Sequence, residues 1–203
     1  MTETIHIEVK RTEDSKLSKV DFKNIPFGKV YADHMFVADF VNGEWSDFKI
    51  VPYQNLSLSP ANSALHYGQS VFEGMKAHKG ENGEVLIFRP KENLKRLNLS
   101  AERMCIPAVP EEVFMGGLTK LLEIDKNWIP NMPGTSLYIR PFIFATDEYI
   151  GIRPSDNYKF LIFTCPVGAY YAEPVRVKIE TKYVRAAPGG TGFAKAAGNY
   201  AAA

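Results

Sequence analysis

The chain has 203 residues, of which 45% are hydrophobic, so it can bury the core of one or two domains. Its 24 Lys and Arg residues are balanced by 23 Asp and Glu residues, and the formal net charge of +1 excludes a strong overall positive field that would attract nucleic acid or an acidic membrane. No stretch reaches the ~20 apolar residues of a membrane span, and the polar N-terminus has no apolar signal core, so we expect a cytoplasmic protein.

Several runs of aromatic and branched residues have the length of strands. In chain order, the predicted strands are residues 35–40, 48–52, 84–89, 136–146, 159–165 and 175–179. Asn42-Gly43 lies between the first two of them and favours a tight turn, so we predict an antiparallel hairpin there.

Helices are predicted for three segments. Residues 63–78 and 90–104 repeat apolar side chains every three or four positions. Residues 110–126 begin with Pro110, Glu111 and Glu112, a favourable arrangement at the start of a helix. Strands and helices grouped in this way predict an α+β fold rather than a repeated βαβ array.

Histidine and cysteine give no sign of a metal site. The spacing of the four histidines and two cysteines matches no metal-ligand pattern. Cys105 and Cys165 lie in apolar surroundings, and we expect both to be buried free thiols.

The most informative segment is residues 189–200, where Lys195 lies among glycine and alanine residues. Small neighbours would let a bulky flat ligand approach the lysine. Apolar neighbours would desolvate its ammonium group and favour the nucleophilic amine. A flexible glycine-rich loop with an exposed lysine is the alternative interpretation of the same composition.

Two phosphate-binding motifs do not fit this segment. A P-loop has Gly before its lysine and Ser or Thr after it, whereas Ala194 and Ala196 flank Lys195. The dinucleotide-binding motif needs a third glycine, but Lys195 itself occupies that position.

Further blocks of sequence precede this segment from about residue 25 onward. They are Phe27-Gly28 with Asp33-His34-Met35, Leu65-His66-Tyr67 with Phe72-Glu73-Gly74-Met75-Lys76-Ala77, Phe88-Arg89-Pro90, Thr135-Ser136-Leu137-Tyr138-Ile139-Arg140-Pro141, and Cys165-Pro166-Val167-Gly168-Ala169-Tyr170. Together with the Lys195 segment and in this order, they resemble branched-chain amino-acid aminotransferases, which are fold-type IV pyridoxal-phosphate enzymes.

This resemblance implies a small α+β domain at residues 1–167, an interdomain connection at 168–182, and the start of a larger cofactor-binding domain at 183–203. Members of that family continue through most of the second domain, so we expect the 203 residues alone to be inactive. The resemblance also implies a homodimer that acts on amino acids and 2-oxo acids.

For the cofactor, the resemblance implies that Lys195 holds pyridoxal 5'-phosphate and then acts as the catalytic base. Arg96 matches the arginine at the cofactor's phosphate, Tyr200 matches the tyrosine at its phenolic oxygen, and Arg185 would lie nearby. Taken without the family, Arg96 is a helix-surface arginine beside Glu92, and Tyr200 is an aromatic residue in a small-residue segment.

The implied reaction moves the amino group of leucine, isoleucine or valine to 2-oxoglutarate by a ping-pong mechanism. Its pocket must accept an aliphatic and a charged side chain in turn. The matching pocket residues are Phe27, Tyr67, Phe72, Tyr138, Arg140 and Tyr170. Arg140 would pair with the distal carboxylate, and Tyr67 and Arg140 would serve the neighbouring subunit. Without the resemblance, these aromatic residues are expected in the core.

Two other functions remain open at this point. A D-amino-acid aminotransferase or an aminodeoxychorismate lyase would share the lysine, although the blocks at 72–77 and 135–141 favour the branched-chain type. A truncated, non-catalytic dimerising fragment would need neither cofactor nor substrate.

Overall fold

The computed structural model describes residues 5–169 and 173–201, which form one curled sheet with helices on it. Its strands are β1 (Glu8–Val9), β2 (His34–Val41), β3 (Glu44–Pro52), β4 (Ser70–Phe72), β5 (Met75–Lys79), β6 (Val85–Ile87), β7 (Ser136–Ala145) and β8 (Tyr158–Val167). The helices are α1 (Ser63–Tyr67), α2 (Pro90–Arg103) and α3 (Glu111–Ile124), with short 3-10 turns at Leu17–Lys19, Lys126–Trp128 and Ala197–Tyr200.

The strand order is β1-β3-β2-β8-β7-β5-β6, and β4 also pairs with β7. All pairs are antiparallel except β1 with β3. The long helices α2 and α3 lie together against this sheet, and the predicted α+β class is confirmed.

The predicted hairpin at Asn42-Gly43 is confirmed. Val41 pairs with Glu44, so the connection has two residues, and both have positive φ, 55° at Asn42 and 84° at Gly43. Positive φ at both positions gives the turn a twist that matches the twist of β2 and β3. Asparagine and glycine adopt this conformation at the least cost.

The two faces of the sheet differ because side chains alternate along β7 and β8. Ile139, Ile143 and Phe160 belong to the main core with Phe114 and Leu118 of α3. The alternate residues of β7 lie on the other face. There Tyr138 and Arg140 are only partly buried, and they become part of the candidate site.

The predicted helix at 63–78 is wrong beyond residue 67. Gly68 ends α1 in the left-handed conformation with φ 67°, a common way to end a helix. The residues that follow form β4 and β5. They pair with β7 in a single register, Phe72 with Phe142 and Met75 with Ile139, so pairing with a central strand overrides the helical spacing.

The break between β4 and β5 lies opposite Pro141. Glu73 N donates to Pro141 O at 2.8 Å. Pro141 has no N–H to donate in return, so the ladder is interrupted at Glu73-Gly74.

The predicted strand at 175–179 is also wrong. The segment forms no strand, and Val177 and Ile179 are 87% and 85% exposed. No strand among the described residues pairs with it, and a single unpaired strand has no partners for its backbone hydrogen bonds.

The remaining predicted elements are confirmed with small changes at their ends. Strands occur at 35–40, 48–52, 136–146 and 159–165, a shorter strand occurs within 84–89, and helices occur at 90–104 and 110–126.

Both cysteines are free thiols, as expected, but only Cys165 is buried. Burial raises the pKa of the Cys165 thiol to about 11. Cys105 is exposed because it follows the end of α2 in a turn, with φ 55°. Within the described residues, no cluster of three or more potential metal ligands occurs, and no helix is long and apolar enough to cross a membrane.

Candidate active site

The backbone of Lys195 is held between the sheet and a helix. Ala196 forms an antiparallel bridge with Val71 of β4, and Lys195 O accepts a hydrogen bond from Phe72 N at 3.1 Å. On the other side, Lys195 N donates to Ser100 Oγ of α2 at 2.9 Å. The small neighbours Ala194 and Ala196 are buried, which lets the chain approach both elements closely.

The Lys195 ammonium group lies in an aromatic corner. Its Nζ is 3.2 Å from the hydroxyl of Tyr200, and it lies 4.3 Å from the ring centroid of Phe72 and 4.9 Å from that of Tyr200. The two rings pack edge to face, with centroids 5.0 Å apart. Cation–π attraction and the hydroxyl therefore hold the amine at one position. Arg185 reaches the same corner, 5.9 Å from the ring of Tyr200.

Asn199 folds the glycine-rich segment into a defined loop. Its Nδ2 donates to Thr191 O at 2.7 Å and to Ala194 O at 2.8 Å, and its Oδ1 accepts from Thr191 Oγ1 at 2.7 Å. Arg103 of α2 adds a bond to Gly189 O at 3.3 Å. These bonds argue against the flexible-loop interpretation. Sequence reasoning missed Asn199, although asparagine among small residues often closes a turn by bonding to nearby backbone.

Arg96 forms an ion pair with the buried carboxylate of Glu73. Its Nε and Nη2 donate to the two carboxylate oxygens at 2.5 and 2.8 Å, and the side chain of Glu73 is fully buried. The hydrogen bond to Glu73 raises the pKa of the Arg96 guanidinium. The interpretation of Arg96 as a partner of Glu92 is wrong, because Glu92 pairs with Lys95 and Arg89 instead.

Arg140 and the aromatic residues form a wall next to this corner. The guanidinium carbon of Arg140 lies 4.5 Å from the ring centroid of Phe72, and its Nη2 donates to the hydroxyl of Tyr138 at 3.0 Å. Phe27 contacts the ring of Tyr138, with centroids 6.1 Å apart. Only glycine fits at Gly74, because a Cβ there would lie 2.3 Å from the hydroxyl of Tyr138.

One donor in this wall has no partner. The Nε of Arg140 is buried and makes no hydrogen bond within the described residues. An unsatisfied buried donor is costly, and such positions often mark sites of function.

The structure does not bring every expected residue to this site. Tyr67, at the end of α1, has a ring contact with His66 but none with the Lys195 corner within the described residues. Tyr170 lies outside the described residues. The expected service of Tyr67 and Arg140 to a neighbouring subunit stays a prediction, and Arg140 already contacts Phe72, the ring on which its own chain's Lys195 rests.

The donor set fits an aldehyde-bearing, phosphorylated aromatic ligand. A primary amine can bind an aldehyde, a phenol hydroxyl 3.2 Å away can bond to a ring oxygen, and a guanidinium with one open edge suits a phosphate. The fit therefore rests on side chains that the fold brings together from β4, α2 and the 189–200 loop.

Comparisons with known proteins point in the same direction. No protein-family model matches the chain. In sequence, the chain is 51% identical over 203 residues to branched-chain-amino-acid aminotransferase 2 of Bacillus subtilis strain 168, an alignment that covers 98% of this chain and 55% of that protein. The chain spans about half the length of the curated relatives it matches.

Solved structures show the same likeness. A branched-chain aminotransferase from Thermoproteus uzoniensis, crystallised with norvaline, matches with a TM-score of 0.60 and 25% identity over 82% of this chain and 52% of that one. A branched-chain amino acid aminotransferase of T.th., solved with pyridoxamine 5'-phosphate, matches with a TM-score of 0.53 and 30% identity over 71% of this chain and 43% of that one.

Proposed function

Because this chain is homologous to branched-chain-amino-acid aminotransferases over about half of their length, we propose that the whole protein transfers the amino group of leucine, isoleucine or valine to 2-oxoglutarate, with pyridoxal 5'-phosphate as cofactor. The observation that carries the proposal is the position of Lys195 Nζ between the hydroxyl of Tyr200 and the ring of Phe72.

Three side chains would hold the cofactor. Lys195 Nζ would bind its aldehyde carbon, Tyr200 would bond to its phenolic oxygen, and Arg96 would bind its phosphate. When bound, pyridoxal phosphate supplies an electron-accepting ring that stabilises negative charge at the α-carbon of the substrate. Arg185 would add positive charge on the outer side of Tyr200.

Lys195 would also move the proton. Its Nζ is the basic atom of the corner and would accept the α-proton of the amino acid and later return it. Phe72 and Tyr200 cover this nitrogen with their rings, which would limit access of water. The hydroxyl of Tyr200 would keep Nζ aimed toward the substrate through the 3.2 Å hydrogen bond.

The neighbouring wall would recognise both substrates. Branched aliphatic side chains would pack against Phe27, Phe72 and Tyr138. The distal carboxylate of 2-oxoglutarate would pair with Arg140, whose orphan Nε and aromatic surroundings favour an anionic partner in the ping-pong cycle. Tyr67 and Tyr170 would complete the pocket in a cytoplasmic homodimer.

The proposal includes the division into a small domain at 1–167, a connection at 168–182 and the start of a larger domain at 183–203. The Lys195 loop bonds to β4 and α2, so the cofactor site would lie where the two domains meet. Ligand sites are common at such junctions.

Reduction with borohydride tests the cofactor and its lysine together. The full-length protein is incubated with pyridoxal phosphate, reduced and analysed by peptide mass spectrometry. We expect one adduct on Lys195 and none in Lys195→Ala, which should also lose transamination of leucine. Lys182→Ala is the matched control, because this lysine also lies over an aromatic ring, 5.4 Å from the centroid of Tyr183. An adduct elsewhere, or turnover by Lys195→Ala at the wild-type rate, would refute the proposal.

A further inference from the structure

We propose that Glu73 is a positioning residue that fixes the guanidinium of Arg96 toward the cofactor's phosphate, a role that rests on the proposed function. Glu73 itself would touch neither cofactor nor substrate. It would act through the direction in which it holds the donors of Arg96.

The carboxylate of Glu73 is enclosed by N–H donors. Besides Arg96 Nε and Nη2, it accepts from Asn93 Nδ2 at 2.9 Å and from Gly74 N at 3.1 Å, and no part of its side chain is exposed. A buried carboxylate is stable only when it is paired and hydrogen-bonded. Arg96 is therefore tied to an anchor that cannot turn toward solvent.

The anchor is built into the sheet. Glu73 lies at the break between β4 and β5 that Pro141 causes, and its N–H bonds to Pro141 O at 2.8 Å. Gly74 N turns back onto the carboxylate of Glu73, which aims that carboxylate at α2. Phe72, the preceding residue, supports Lys195 Nζ at 4.3 Å, so one short segment sets both the lysine corner and Arg96.

Arg96 keeps one edge open. Nε and Nη2 face Glu73 in the forked geometry of an arginine–carboxylate pair, whereas Nη1 makes no hydrogen bond within the described residues. The side chain remains 56% exposed. Tyr200 acts on Arg96 electrostatically, which places the guanidinium on the side of the lysine corner. The planar group thus presents a fixed donor edge, as phosphate recognition requires.

Orientation and charge predict opposite effects of removing the Glu73 charge. Glu73 cancels much of the positive charge of Arg96, so a site that worked by charge alone would bind phosphate more tightly in Glu73→Gln. A site that depends on orientation would bind it more weakly, because the amide would turn a donor toward Asn93 and Gly74 and disturb the fork.

The test compares binding of pyridoxal 5'-phosphate and pyridoxal, which lacks the phosphate, to the full-length protein by absorbance titration. We expect Glu73→Gln to reduce the preference for the phosphorylated form by about tenfold, the effect of about one hydrogen bond to a charged group, with pyridoxal affinity unchanged. In an Arg96→Ala background, the same substitution should change nothing further. Glu92→Gln, which removes an exposed carboxylate of the same helix, should behave as wild type.

Tighter binding in Glu73→Gln, an equal loss for both ligands, or an additive loss in the double variant would overturn the role. If wild-type protein forms no adduct at Lys195, the proposed function fails with it. If wild type binds normally and the preference survives in Glu73→Gln, only the role of Glu73 fails. Should Glu73→Gln not fold, Arg96→Lys with Glu73 intact is decisive. Its single ammonium cannot serve both groups, so an undiminished preference would refute the proposal.

Discussion

At the residue scale, the chemistry depends on how the neighbours of Lys195 fix its amine. Most lysines extend into solvent, but this one has a hydroxyl at 3.2 Å and two rings within 5 Å. Sequence reasoning identified Lys195, Tyr200, Phe72, Arg96 and Arg140 from the resemblance. It could not identify Glu73 or Asn199, because their roles depend on which donors the fold places around them.

Tyr200→Phe isolates the hydroxyl from the ring. The ring should keep its edge-to-face packing on Phe72, whereas Nζ of Lys195 loses its 3.2 Å partner. We expect kcat/KM for leucine to fall by about tenfold, the effect of one hydrogen bond to a charged group, with the adduct on Lys195 retained. Steady-state kinetics of the full-length protein measure this. Tyr183→Phe, at a position 73% exposed, is the control, and an unchanged kcat/KM in Tyr200→Phe would contradict the assignment.

Arg140→Ala separates the two substrates. Removing the guanidinium takes away the partner of a distal carboxylate but leaves the rings that contact an aliphatic side chain. KM for 2-oxoglutarate should therefore rise at least about tenfold more than KM for a branched-chain 2-oxo acid. Arg11→Ala, an exposed arginine, should leave both constants unchanged. Equal increases for the two substrates in Arg140→Ala would show that the residue does not discriminate between them.

At the element scale, α2 and the broken strand β4–β5 organise the site. Within α2, Arg96 and Ser100 are one turn apart, and Ser100 Oγ donates to Arg96 O at 2.8 Å while it accepts from Lys195 N. The periodicity of α2 was readable because its buried residues Leu94, Leu97 and Ala101 follow helical spacing. Residues 68–79 were misread because pairing with β7 outweighs local preference.

Ser100→Ala should loosen the Lys195 segment. Ser100 is 1% exposed, so the substitution leaves the N–H of Lys195 without its acceptor in a partly buried place. We expect a loss of about 1–3 kcal/mol in the free energy of unfolding, measured by urea denaturation. Ser57→Ala, at an exposed position, should cost little. A loss in Ser100→Ala no larger than in this control would refute the anchoring role.

The loop between β7 and β8 should make stability depend on acid pH. Burial alone would raise the pKa of Asp147, but hydrogen bonds from Asp156 N, Ser155 and Asn157 lower it from 3.8 to about 2. Because the folded pKa lies below the unfolded value, the stabilisation is complete above about pH 4 and is lost as the pH falls toward 2. The shift corresponds to about 2 kcal/mol.

Urea denaturation of wild type and Asp147→Asn at several pH values between 6 and 2 measures this contribution. The difference between the two proteins should be largest above pH 4 and shrink toward pH 2. Asp156→Asn, which removes an exposed carboxylate from the same loop, is the control. A difference that stays constant with pH would contradict the depressed pKa.

At the scale of the whole molecule, residues 173–187 stand apart from the sheet. Val175, Val177, Ile179 and Val184 are all more than half exposed, whereas the residues from 188 onward return to bond with β4 and α2. This arrangement agrees with the proposed connection between two domains. The curated relatives are about twice as long as this chain, so a complete protein has further residues available to cover these side chains.

Limited proteolysis tests this arrangement. In the 203-residue chain, trypsin should cut first after Lys178 and Lys182, because the side chain of Lys178 is 87% exposed and the segment has no ladder bonds. In the full-length protein these sites should be protected several-fold. Mass spectrometry of timed digests identifies the order of cuts. Early cleavage within β7 or β8, or equal rates in the two proteins, would contradict the expectation.

The sequence by itself determined the strands of the central sheet, the two long helices, the Asn42-Gly43 turn and the lysine around which the site forms. These features depend on local spacing, on turn residues and on a segment of small residues, all of which are visible along the chain. Only the tertiary structure decided that β4 and β5 are strands, that 175–179 is not, and that Glu73 holds Arg96. Those outcomes depend on partners far away in sequence, namely β7, an absent neighbouring strand and α2, because backbone pairing and buried charge are satisfied across the fold rather than along the chain.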